Sequence, residues 1–460
     1  MRASLAQLAA CIPGARLVGA DAAVEGVSTD SRSAPAGALF VALKGETFDA
    51  HGFLDQVAGR GVAAVVVHAL PDGWTLPAIV VPDTLVALGR IANFWRARHA
   101  IAVIGVTGSN GKTTVKEMIA SILAAAFGED ARLATQGNLN NEIGVPLTLL
   151  RLGSQHRAAV IEMGMNHPGE IGRLAAIAQP TVAMVNNAQR EHQEFMHTVE
   201  AVARENGSVL QALPPDGVAV FPGDDTYTDL WREMAQCSTL TFGLSPACDV
   251  RASFVATGFG NELTVTAGGA RYTLALAAAG EHNVRNALAA FASTLAAGIP
   301  AEAIVRGLEA FAPVGGRLQR KQAAGGATVI DDTYNANPDS MRAAIDVLAA
   351  CPAPRILVAG DMGEVGTQGR EFHEEVAAYA KQQGIETVLA TGELARFMSA
   401  SGARHYEQFD ELLAALDAIL GGNAGAKSEA TVLVKGSRFM KMERVVLHLT
   451  GHTTTGKDAH

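Results

Sequence analysis

The sequence predicts an α/β protein with three domains, and three observations support this fold class. First, a chain of 460 residues, 48% of them hydrophobic, is long enough to build several cores. Second, from residue 101 onward short apolar strands alternate with helices, as in a doubly wound parallel sheet. Third, a Pro/Gly segment at 313–316 interrupts this alternation, which then restarts. We therefore expect a small mixed α/β domain at 1–98, a central doubly wound domain at 99–313, and a Rossmann-like α/β domain at 314–460.

The first domain is predicted from short apolar runs separated by turns. The N-terminal stretch resembles a lipoprotein signal, but its apolar run is short, and Leu5, Leu8 and Ala9 instead suit one face of a first helix. The clearest predicted strands of this domain are residues 38–43, 63–68 and 78–81.

Composition and charge argue against several classes of protein. A formal net charge of −10 disfavours a broad, non-specific hold on nucleic acid or on an anionic membrane. No run reaches the roughly 18 apolar residues that span a bilayer, so we expect no membrane insertion. The four cysteines are scattered without C-x-x-C spacing, which favours a reducing cytoplasm over a disulfide framework or a structural zinc site. The net charge does not exclude a small anionic ligand, which a local basic pocket could bind.

The central domain begins with a phosphate-binding loop, or P-loop, at residues 107–114, between an apolar strand and a helix. Its backbone N–H groups and the helix dipole would cradle phosphates, Lys112 adds a point charge, and the Thr113 hydroxyl can bind Mg²⁺. Val106 replaces the first glycine of the strict motif. The alternative to a phosphate-binding loop is therefore an ordinary glycine turn with a surface lysine. The predicted nucleotide-binding residues of this loop are Gly108, Ser109, Asn110, Gly111, Lys112, Thr113 and Thr114.

Two further strands of the central domain also end in polar residues. The strand at 158–161 leads into Glu162, and the strand at 181–185 leads into Asn186 and Asn187. The carboxyl ends of parallel strands share one edge of the sheet, so we expect these side chains to face the P-loop. Glu162 and Thr113 together suit an Mg²⁺ ion that bridges nucleotide phosphates.

His192 follows the last of these strands by seven residues, and spacing alone leaves its role open. It could reach the same crevice, or it could be an ordinary polar residue of a loop. We expect Glu191 and Glu194 beside it to be solvated charges.

The segment 135–146 contains four uncharged amide side chains and two glycines before an apolar run. Such a stretch offers donors and acceptors without charge, which makes Thr135, Asn138 and Asn141 candidates to contact a sugar, a peptide or a phosphate. A turn capped by asparagine side chains is the alternative.

The last domain follows the segment 313–316, which we interpret as a hinge after an Ala-rich helix at 283–297. Arg317 could swing from this hinge onto a phosphate as the domains close, or it could form an interdomain salt bridge. The predicted strands beyond the hinge are residues 327–330, 355–359, 386–390 and 431–434.

Taken together, these motifs resemble the Mur ligases over nearly the whole chain. The matching segments are 108–114, 135–146, 161–164 with 166–170, 186–187 with His192, 332–338, 360–362, 435–438 and, in the first domain, 28–32 and 40–52. The resemblance implies ATP-driven amide formation in peptidoglycan precursor synthesis, with ATP and Mg²⁺ as cofactors. It implies UDP-N-acetylmuramoyl-tripeptide and D-alanyl-D-alanine as substrates, with the tripeptide carboxylate activated as an acyl phosphate.

The resemblance also implies roles for individual residues. Lys112 would hold the β- and γ-phosphates, Thr113 and Glu162 a first Mg²⁺, and His192 a second. Arg317 would approach the phosphates and complete the catalytic set. Further nucleotide contacts are implied for Asn283 at adenine and for Asp332 and Asn335 from the last domain. Substrate contacts are implied for Ser31, Arg32, Lys44, Asp49 and His51, the uridine-nucleotide segment, and we add Thr135, Asn138 and Asn141.

One position departs from the family pattern. Mur ligases commonly carry a carbamate-modified lysine that helps to hold the second Mg²⁺, and our alignment places Asn206 there. Because an amide cannot form a carbamate, either Glu205 or another oxygen substitutes, or the second ion is held more weakly.

Two other functions remain as alternatives. A sibling ligase that adds the third, diamino, residue would share the ATP site, but its Asp-Asn-Pro-Arg string is missing from this sequence. A P-loop alone is also compatible with an ATP-driven conformational switch that forms no bond.

We expect a monomer.

Overall fold

The computed structural model describes residues 1–45, 47–191, 193–421 and 429–451. His192, for which the sequence predicts a role as a metal ligand, therefore lies outside the described residues. Within them, the first domain contains strands β1 (Arg2–Ser4), β2 (Arg16–Val18), β3 (Ala23–Glu25), β4 (Val27–Ser28), β5 (Leu39–Val41), β6 (Ala64–Val67) and β7 (Ala78–Val80), helices α1 (Leu5–Ala10), α2 (Leu54–Gly59) and α3 (Thr84–Arg96), and a 3₁₀ turn at Ala50–Phe53. Strands β2-β7-β6-β5-β4 form one sheet in this order, parallel except for β2.

Helix α3 joins the first domain to the second. The Asp83 side chain caps its start by accepting hydrogen bonds from two backbone N–H groups. At its other end the buried Arg96 guanidinium donates to the carbonyls of Ala178 and Gln179, at 3.1 Å each. Apolar residues of α3 share a continuous core with the central sheet. Helix α3, the last helix of the first domain, is therefore held against the second domain by packing and hydrogen bonds as well as by the covalent connection.

The central domain is built on a long twisted sheet. Its strands are β8 (Ala102–Thr107), β9 (Arg132–Ala134), β10 (Ala158–Glu162), β11 (Val182–Val185), β12 (Val218–Pro222), β13 (Ser238–Gly243), β14 (Val250–Thr257), β15 (Gly260–Ala267) and β16 (Ala270–Leu276). Its helices are α4 (Lys112–Phe127), α5 (Gly144–Leu149), α6 (Glu170–Ala178), α7 (Gln193–Met196), α8 (Val199–Gln211), α9 (Thr228–Met234), α10 (Glu281–Ala296) and α11 (Ala301–Glu309), with a 3₁₀ turn at Glu129–Ala131.

The order of the central sheet is β16-β15-β14-β13-β12-β11-β8-β10-β9. The strands from β9 to β14 are parallel, as predicted, whereas β14, β15 and β16 form an antiparallel meander that the sequence pattern did not indicate. The inner parallel strands β8, β10, β11 and β12 are buried along nearly their whole length because helices cover both faces of the sheet. Helices α4, α10 and α11 pack on one face, and α3, α5, α6 and α8 pack on the other.

The last domain repeats this architecture on a smaller scale. Its strands are β17 (Gln319–Gln322), β18 (Thr328–Asp332), β19 (Arg355–Ala359), β20 (Thr387–Thr391), β21 (Arg404–Tyr406) and β22 (Thr431–Lys435), and its helices are α12 (Pro338–Ala349), α13 (Gly369–Gln382), α14 (Phe409–Leu420) and α15 (Glu443–Thr450), with 3₁₀ turns at Gly366–Gln368, Ala395–Ser401 and Arg438–Met440. The sheet order is β17-β18-β22-β19-β20-β21, with β17 antiparallel and the others parallel.

The predicted α/β fold class is thus confirmed, and the ends of the predicted strands agree with the observed ones to within two residues. In the described parts of the chain, we find no helix with the length and apolar character needed to cross a membrane.

The packing of α11 on α4 gives a test of the central core. A β-carbon on Gly307 would overlap the backbone of Ile122, whereas on Gly172 of α6 it would meet the Ser208 hydroxyl at an ordinary 3.7 Å. We expect Gly307→Ala to destabilise the protein by about 1–3 kcal/mol, because two helix backbones must separate. Gly172→Ala is the matched control and should be neutral or slightly stabilising. Calorimetric melting temperatures check this, and equal values for the two variants would contradict the packing described.

Candidate active site

A cavity with a volume of about 920 Å³ lies between the central and last domains at the carboxyl edge of the central sheet. The P-loop and the residues after β10 and β11 form one wall. The segment around Arg317 and the residues after β18 form the other. The predicted convergence of strand ends on the P-loop is therefore observed.

The P-loop conformation depends on two glycines and on its neighbours across the sheet. Gly108 and Gly111 have φ angles of 135° and 80°, in the region that favours glycine. At both positions a β-carbon would also overlap a side chain, Asn186 in the first case and Asn286 in the second. The backbone N–H of Asn110 donates to the Asn187 side chain at 2.9 Å. These contacts fix the conformation of the loop.

A chain of uncharged amides extends from the P-loop to helix α10. The Asn186 side chain donates to the Asn110 carbonyl at 2.7 Å and to the Asn286 side chain at 2.9 Å. Asn286 in turn donates to the Asn283 side chain at 3.0 Å. Asn283, predicted near adenine, therefore lines the same cavity and is oriented by hydrogen bonds that begin at the P-loop.

Lys112 begins helix α4 and is turned back onto its own loop. Its ammonium group donates to the carbonyls of Gly108 and Ser109 and lies 3.3 Å from a carboxylate oxygen of Glu191. Glu191 is only 7% exposed and lines the cavity. The expectation that Glu191 is a solvated charge is therefore wrong, whereas Glu194 is exposed as expected.

Glu162 lies at the end of β10 and is 1% exposed. Its Oε1 accepts hydrogen bonds from the Thr113 hydroxyl at 3.1 Å and from the Asn140 side chain at 2.9 Å. Its Oε2 is buried and has no hydrogen-bond partner among the residues that the structure describes. A buried carboxylate oxygen beside a threonine hydroxyl and a phosphate-binding loop is a donor set that fits Mg²⁺.

The amide-rich segment 135–146 has two functions in the structure. Asn138, Asn140 and Asn141 line the cavity, while the Asn141 side chain also accepts a hydrogen bond from the Gly144 N–H at the start of α5, at 2.9 Å. Thr135 is buried, and its hydroxyl accepts a hydrogen bond from the backbone N–H of Glu162 at 2.9 Å. Thr135 is thus placed behind the metal-binding candidate, and its hydroxyl positions Glu162.

The last domain reaches the P-loop through two polar contacts. Arg317 donates to the Thr113 hydroxyl at 2.8 Å, and its guanidinium lies 4.2 Å from the centre of the Tyr334 ring. The Asn337 side chain donates to that of Asn110 at 2.9 Å. Arg317 therefore contacts the P-loop across the domain boundary in this arrangement of the domains, and its predicted contact with a phosphate stays a prediction.

Asp332 and Asn335 lie beside a buried lysine at the end of β22. The Asp332 carboxylate pairs with the Lys435 ammonium at 2.6 Å, and the same ammonium donates to the Asn335 carbonyl at 2.8 Å. Both predicted residues line the cavity. The ion pair fixes them on the wall opposite the P-loop.

Arg190 forms an interdomain ion cluster that the sequence did not indicate. It pairs with Asp339 at the start of α12, at 2.6 Å, and with Glu375 on α13, at 2.8 Å. The hydrogen bond from Arg190 lowers the pKa of the Glu375 carboxyl below its usual range. The sequence did show a charged residue, Arg190, shortly after the polar end of β11. Its burial could not be predicted, because its partners lie about 150 residues or more away in the sequence.

The uridine candidates form a separate group, at the carboxyl edge of the first sheet. Lys44 lies 3.6 Å from Asp49, which lies 2.6 Å from the His51 ring nitrogen. The backbone N–H of His51 donates to Asp49 and is the main cause of the lowered pKa of that carboxyl. Arg32 pairs with Asp30 next to the buried Ser31. The structure brings Lys44, Asp49 and His51 together, and the described residues that line the phosphate pocket include none of the five uridine candidates.

Comparison with known proteins follows the same division of the chain. Residues 106–294 match a family model for the Mur ligase middle domain, and residues 316–438 match one for the Mur ligase, glutamate ligase domain. UDP-N-acetylmuramoyl-tripeptide–D-alanyl-D-alanine ligases from Escherichia coli (strain K12) and Haemophilus influenzae are 39% and 38% identical to this chain. Each alignment covers 98% of this chain and 99% or 98% of the relative.

Solved structures agree with this similarity. MurF from Acinetobacter baumannii superimposes with a TM-score of 0.93 at 34% identity, over 98% of this chain and 99% of that one. MurF from Thermotoga maritima in complex with ADP gives a TM-score of 0.83 at 25% identity, over 93% of this chain and 97% of that one. With similarity along its whole length, the chain belongs to the Mur ligase family of ATP-dependent amide-bond ligases.

Proposed function

We propose that this enzyme adds D-alanyl-D-alanine to UDP-N-acetylmuramoyl-tripeptide at the expense of ATP, in the synthesis of peptidoglycan precursors. One observation carries the proposal: the P-loop, Glu162 and Arg317 meet at the Thr113 hydroxyl, although they come from two domains. That arrangement suits a phosphoryl group held between the domains while it is transferred. The names of the full-length relatives supply the substrates.

Each domain has its own role in this proposal. Residues 1–98 bind the uridine nucleotide, for which the Lys44, Asp49 and His51 group offers charge and hydrogen bonds. Residues 99–313 bind ATP. Residues 314–460 close on ATP through Arg317 and accept the dipeptide. The tripeptide then lies across the central sheet with its carboxylate at the P-loop.

The reaction has two steps. An oxygen of the tripeptide carboxylate attacks the γ-phosphorus, the bond to the β,γ-bridging oxygen breaks, and an acyl phosphate and ADP result. The amine of D-alanyl-D-alanine, after losing a proton, attacks the acyl carbon, and the tetrahedral intermediate expels inorganic phosphate to leave the amide. Lys112 and Arg317 stabilise the negative charge on the transferring phosphoryl group, and the domain contact keeps water away from the acyl phosphate.

Thr113 and Glu162 are the residues that would hold Mg²⁺ in this site. The buried Oε2 of Glu162, which has no hydrogen-bond partner in the described part of the chain, supports this assignment. When bound, the ion supplies positive charge that offsets the repulsion between the triphosphate and the tripeptide carboxylate. His192 is proposed as a ligand of a second ion on the strength of the family resemblance alone.

The reaction itself can be tested with an isotope. With ¹⁸O in the terminal carboxylate of the tripeptide, one labelled oxygen should appear in the released phosphate, because the acyl oxygen leaves with phosphorus. ADP release should require both the tripeptide substrate and D-alanyl-D-alanine. Mass spectrometry of phosphate and a coupled ADP assay check the two results.

Two outcomes would contradict the proposed reaction. Unlabelled phosphate would exclude an acyl phosphate, and ATP hydrolysis that is indifferent to both substrates would favour an ATP-driven switch. A requirement for a free diamino acid in place of the dipeptide would instead identify a sibling ligase.

Lys112 provides a test of the phosphate site. Lys112→Ala should lower kcat by roughly 100-fold or more, because charge developing on the phosphoryl group loses a direct partner. Lys381→Ala on the exposed face of α13 is the control and should leave the rate unchanged. Steady-state kinetics and melting temperatures check the pair. An unaltered rate for Lys112→Ala would remove this residue from the mechanism.

Asn206 leads to a prediction about carbon dioxide. Its Oδ1 accepts a hydrogen bond from the Thr107 hydroxyl at 2.7 Å, and an amide has no amine to carbamylate. We expect the same rate in CO₂-free buffer with and without added bicarbonate, measured by ADP release. Stimulation by bicarbonate that persists in Asn206→Ala would show that a modified lysine lies elsewhere.

A further inference from the structure

His373 is a fully buried histidine to which the proposed reaction assigns no role. It lies on helix α13 and is 0% exposed, and each of its ring nitrogens has a backbone partner. Nδ1 lies 2.6 Å from the Gly369 carbonyl oxygen, and Nε2 lies 3.0 Å from the backbone nitrogen of Met362. A carbonyl only accepts and an N–H only donates, so Nδ1 carries the proton and Nε2 accepts. The ring is therefore neutral, a state that burial favours by lowering the pKa of His373.

The two partners of His373 lie at opposite ends of residues 360–368, which we call the β19–α13 loop. Met362 is near the beginning of this loop, and Gly369 is the first residue of the helix that follows it. The imidazole thus joins the beginning of the loop to the helix after it. The residues of the loop that line the cavity follow Met362 directly, so its position determines theirs. They are Gly363, Glu364 and Val365.

The backbone of the β19–α13 loop needs support from its surroundings. Glu364 has a φ angle of 57°, which is uncommon for a residue with a side chain, and Gly366 has a φ angle of 58°. A residue in this conformation persists where neighbouring contacts determine it, and such residues are frequent at ligand sites. The Ser437 hydroxyl provides one contact by accepting a hydrogen bond from the Gly363 N–H at 2.7 Å. His373 provides another, on the residue before.

The β19–α13 loop also lies against the central domain. A β-carbon on Gly366 would come 3.4 Å from the α-carbon of Glu194 and 3.7 Å from the carbonyl carbon of Gln193, both on α7. The nucleotide contacts predicted for the last domain lie elsewhere, around Arg317 and after β18. Strand β22 separates β18 from β19 in the sheet, so the loop forms a different part of the cavity wall. The second substrate can therefore bind there beside the nucleotide.

We propose that His373 is a positioning residue for the second substrate: its neutral ring holds Met362 so that Gly363 and Val365 form the part of the wall that contacts D-alanyl-D-alanine. The inference rests on the proposed function, which supplies the identity of that substrate. His373 itself is not among the described residues that line the cavity, so it acts through the loop.

Two polar variants of different length test this role. The amide oxygen of His373→Gln can reach the place of Nε2 and still accept from Met362, whereas the shorter amide of His373→Asn reaches only the place of Nδ1 and loses that bond. We expect His373→Asn to raise the KM for D-alanyl-D-alanine roughly tenfold, because a buried N–H loses its acceptor and the loop shifts. The value of kcat should change by less than about twofold, as when binding alone is weakened. His373→Gln should keep its KM within about threefold of the wild type.

Steady-state kinetics with the other two substrates saturating check these values, and the KM for ATP should be the same in all variants. His448→Asn on α15 is the matched control, because His448 is exposed and pairs with Asp417 at the surface. It should leave every constant unchanged. Equal KM values for D-alanyl-D-alanine in the two His373 variants, or a lower kcat with an unchanged KM, would overturn the proposal.

Hydrogen exchange in the wild type decides if His373→Asn does not fold. D-alanyl-D-alanine is added to the full-length protein saturated with UDP-N-acetylmuramoyl-tripeptide and a non-hydrolysable methylene analogue of ATP, and deuterium uptake is followed by mass spectrometry. We expect slower exchange in residues 360–368. Slower exchange confined to other segments would overturn the role of the loop. No change anywhere, together with no turnover of the dipeptide, would instead contradict the proposed function.

Discussion

The hydrogen bonds between the P-loop and the two asparagines after β11 are the constraint on which the rest of the site depends. Strands β8 and β11 are paired in parallel with Thr107 opposite Val185, so the segments that follow them leave the sheet side by side. Asn186 and Asn187 then bond to Asn110, and the loop can approach them because Gly108 has no side chain. The start of α4, and with it Lys112 and Thr113, is placed by this contact.

The position of the last domain depends on the same loop. Asn337 bonds to Asn110, and Arg317 bonds to Thr113, so both contacts between the domains at this point involve residues that a phosphate would touch. Thr113 also donates to Glu162. One hydroxyl therefore connects an arginine from one domain with a carboxylate from another. A nucleotide bound at Thr113 would contact residues of both domains at the same time. A reaction whose second substrate enters from the opposite wall of the cavity requires such a contact between the domains.

The sequence predicted the parts of the site that follow from local pattern and sheet geometry. Glu162 and Thr113 could be placed together because each follows a strand of one parallel sheet, and parallel strands share an edge. Arg190 and Glu191 could not be placed, because a charged side chain in a loop is solvated by default and becomes buried only through partners far away in the sequence. The meander of β14, β15 and β16 was missed because antiparallel strands joined by tight turns interrupt the strand-and-helix alternation on which the prediction relied.

The charges of the cleft suggest why nucleotide binding and domain closure are linked. Lys112 is paired with Glu191, Lys435 with Asp332, and Arg190 with Asp339 and Glu375, so these cations are already held by protein carboxylates. The last two clusters involve the last domain and can persist when phosphates bind. The Lys112 pair cannot, because the phosphates and Glu191 compete for one ammonium group. The free energy of phosphate binding is therefore reduced by the cost of breaking the ion pair between Lys112 and Glu191.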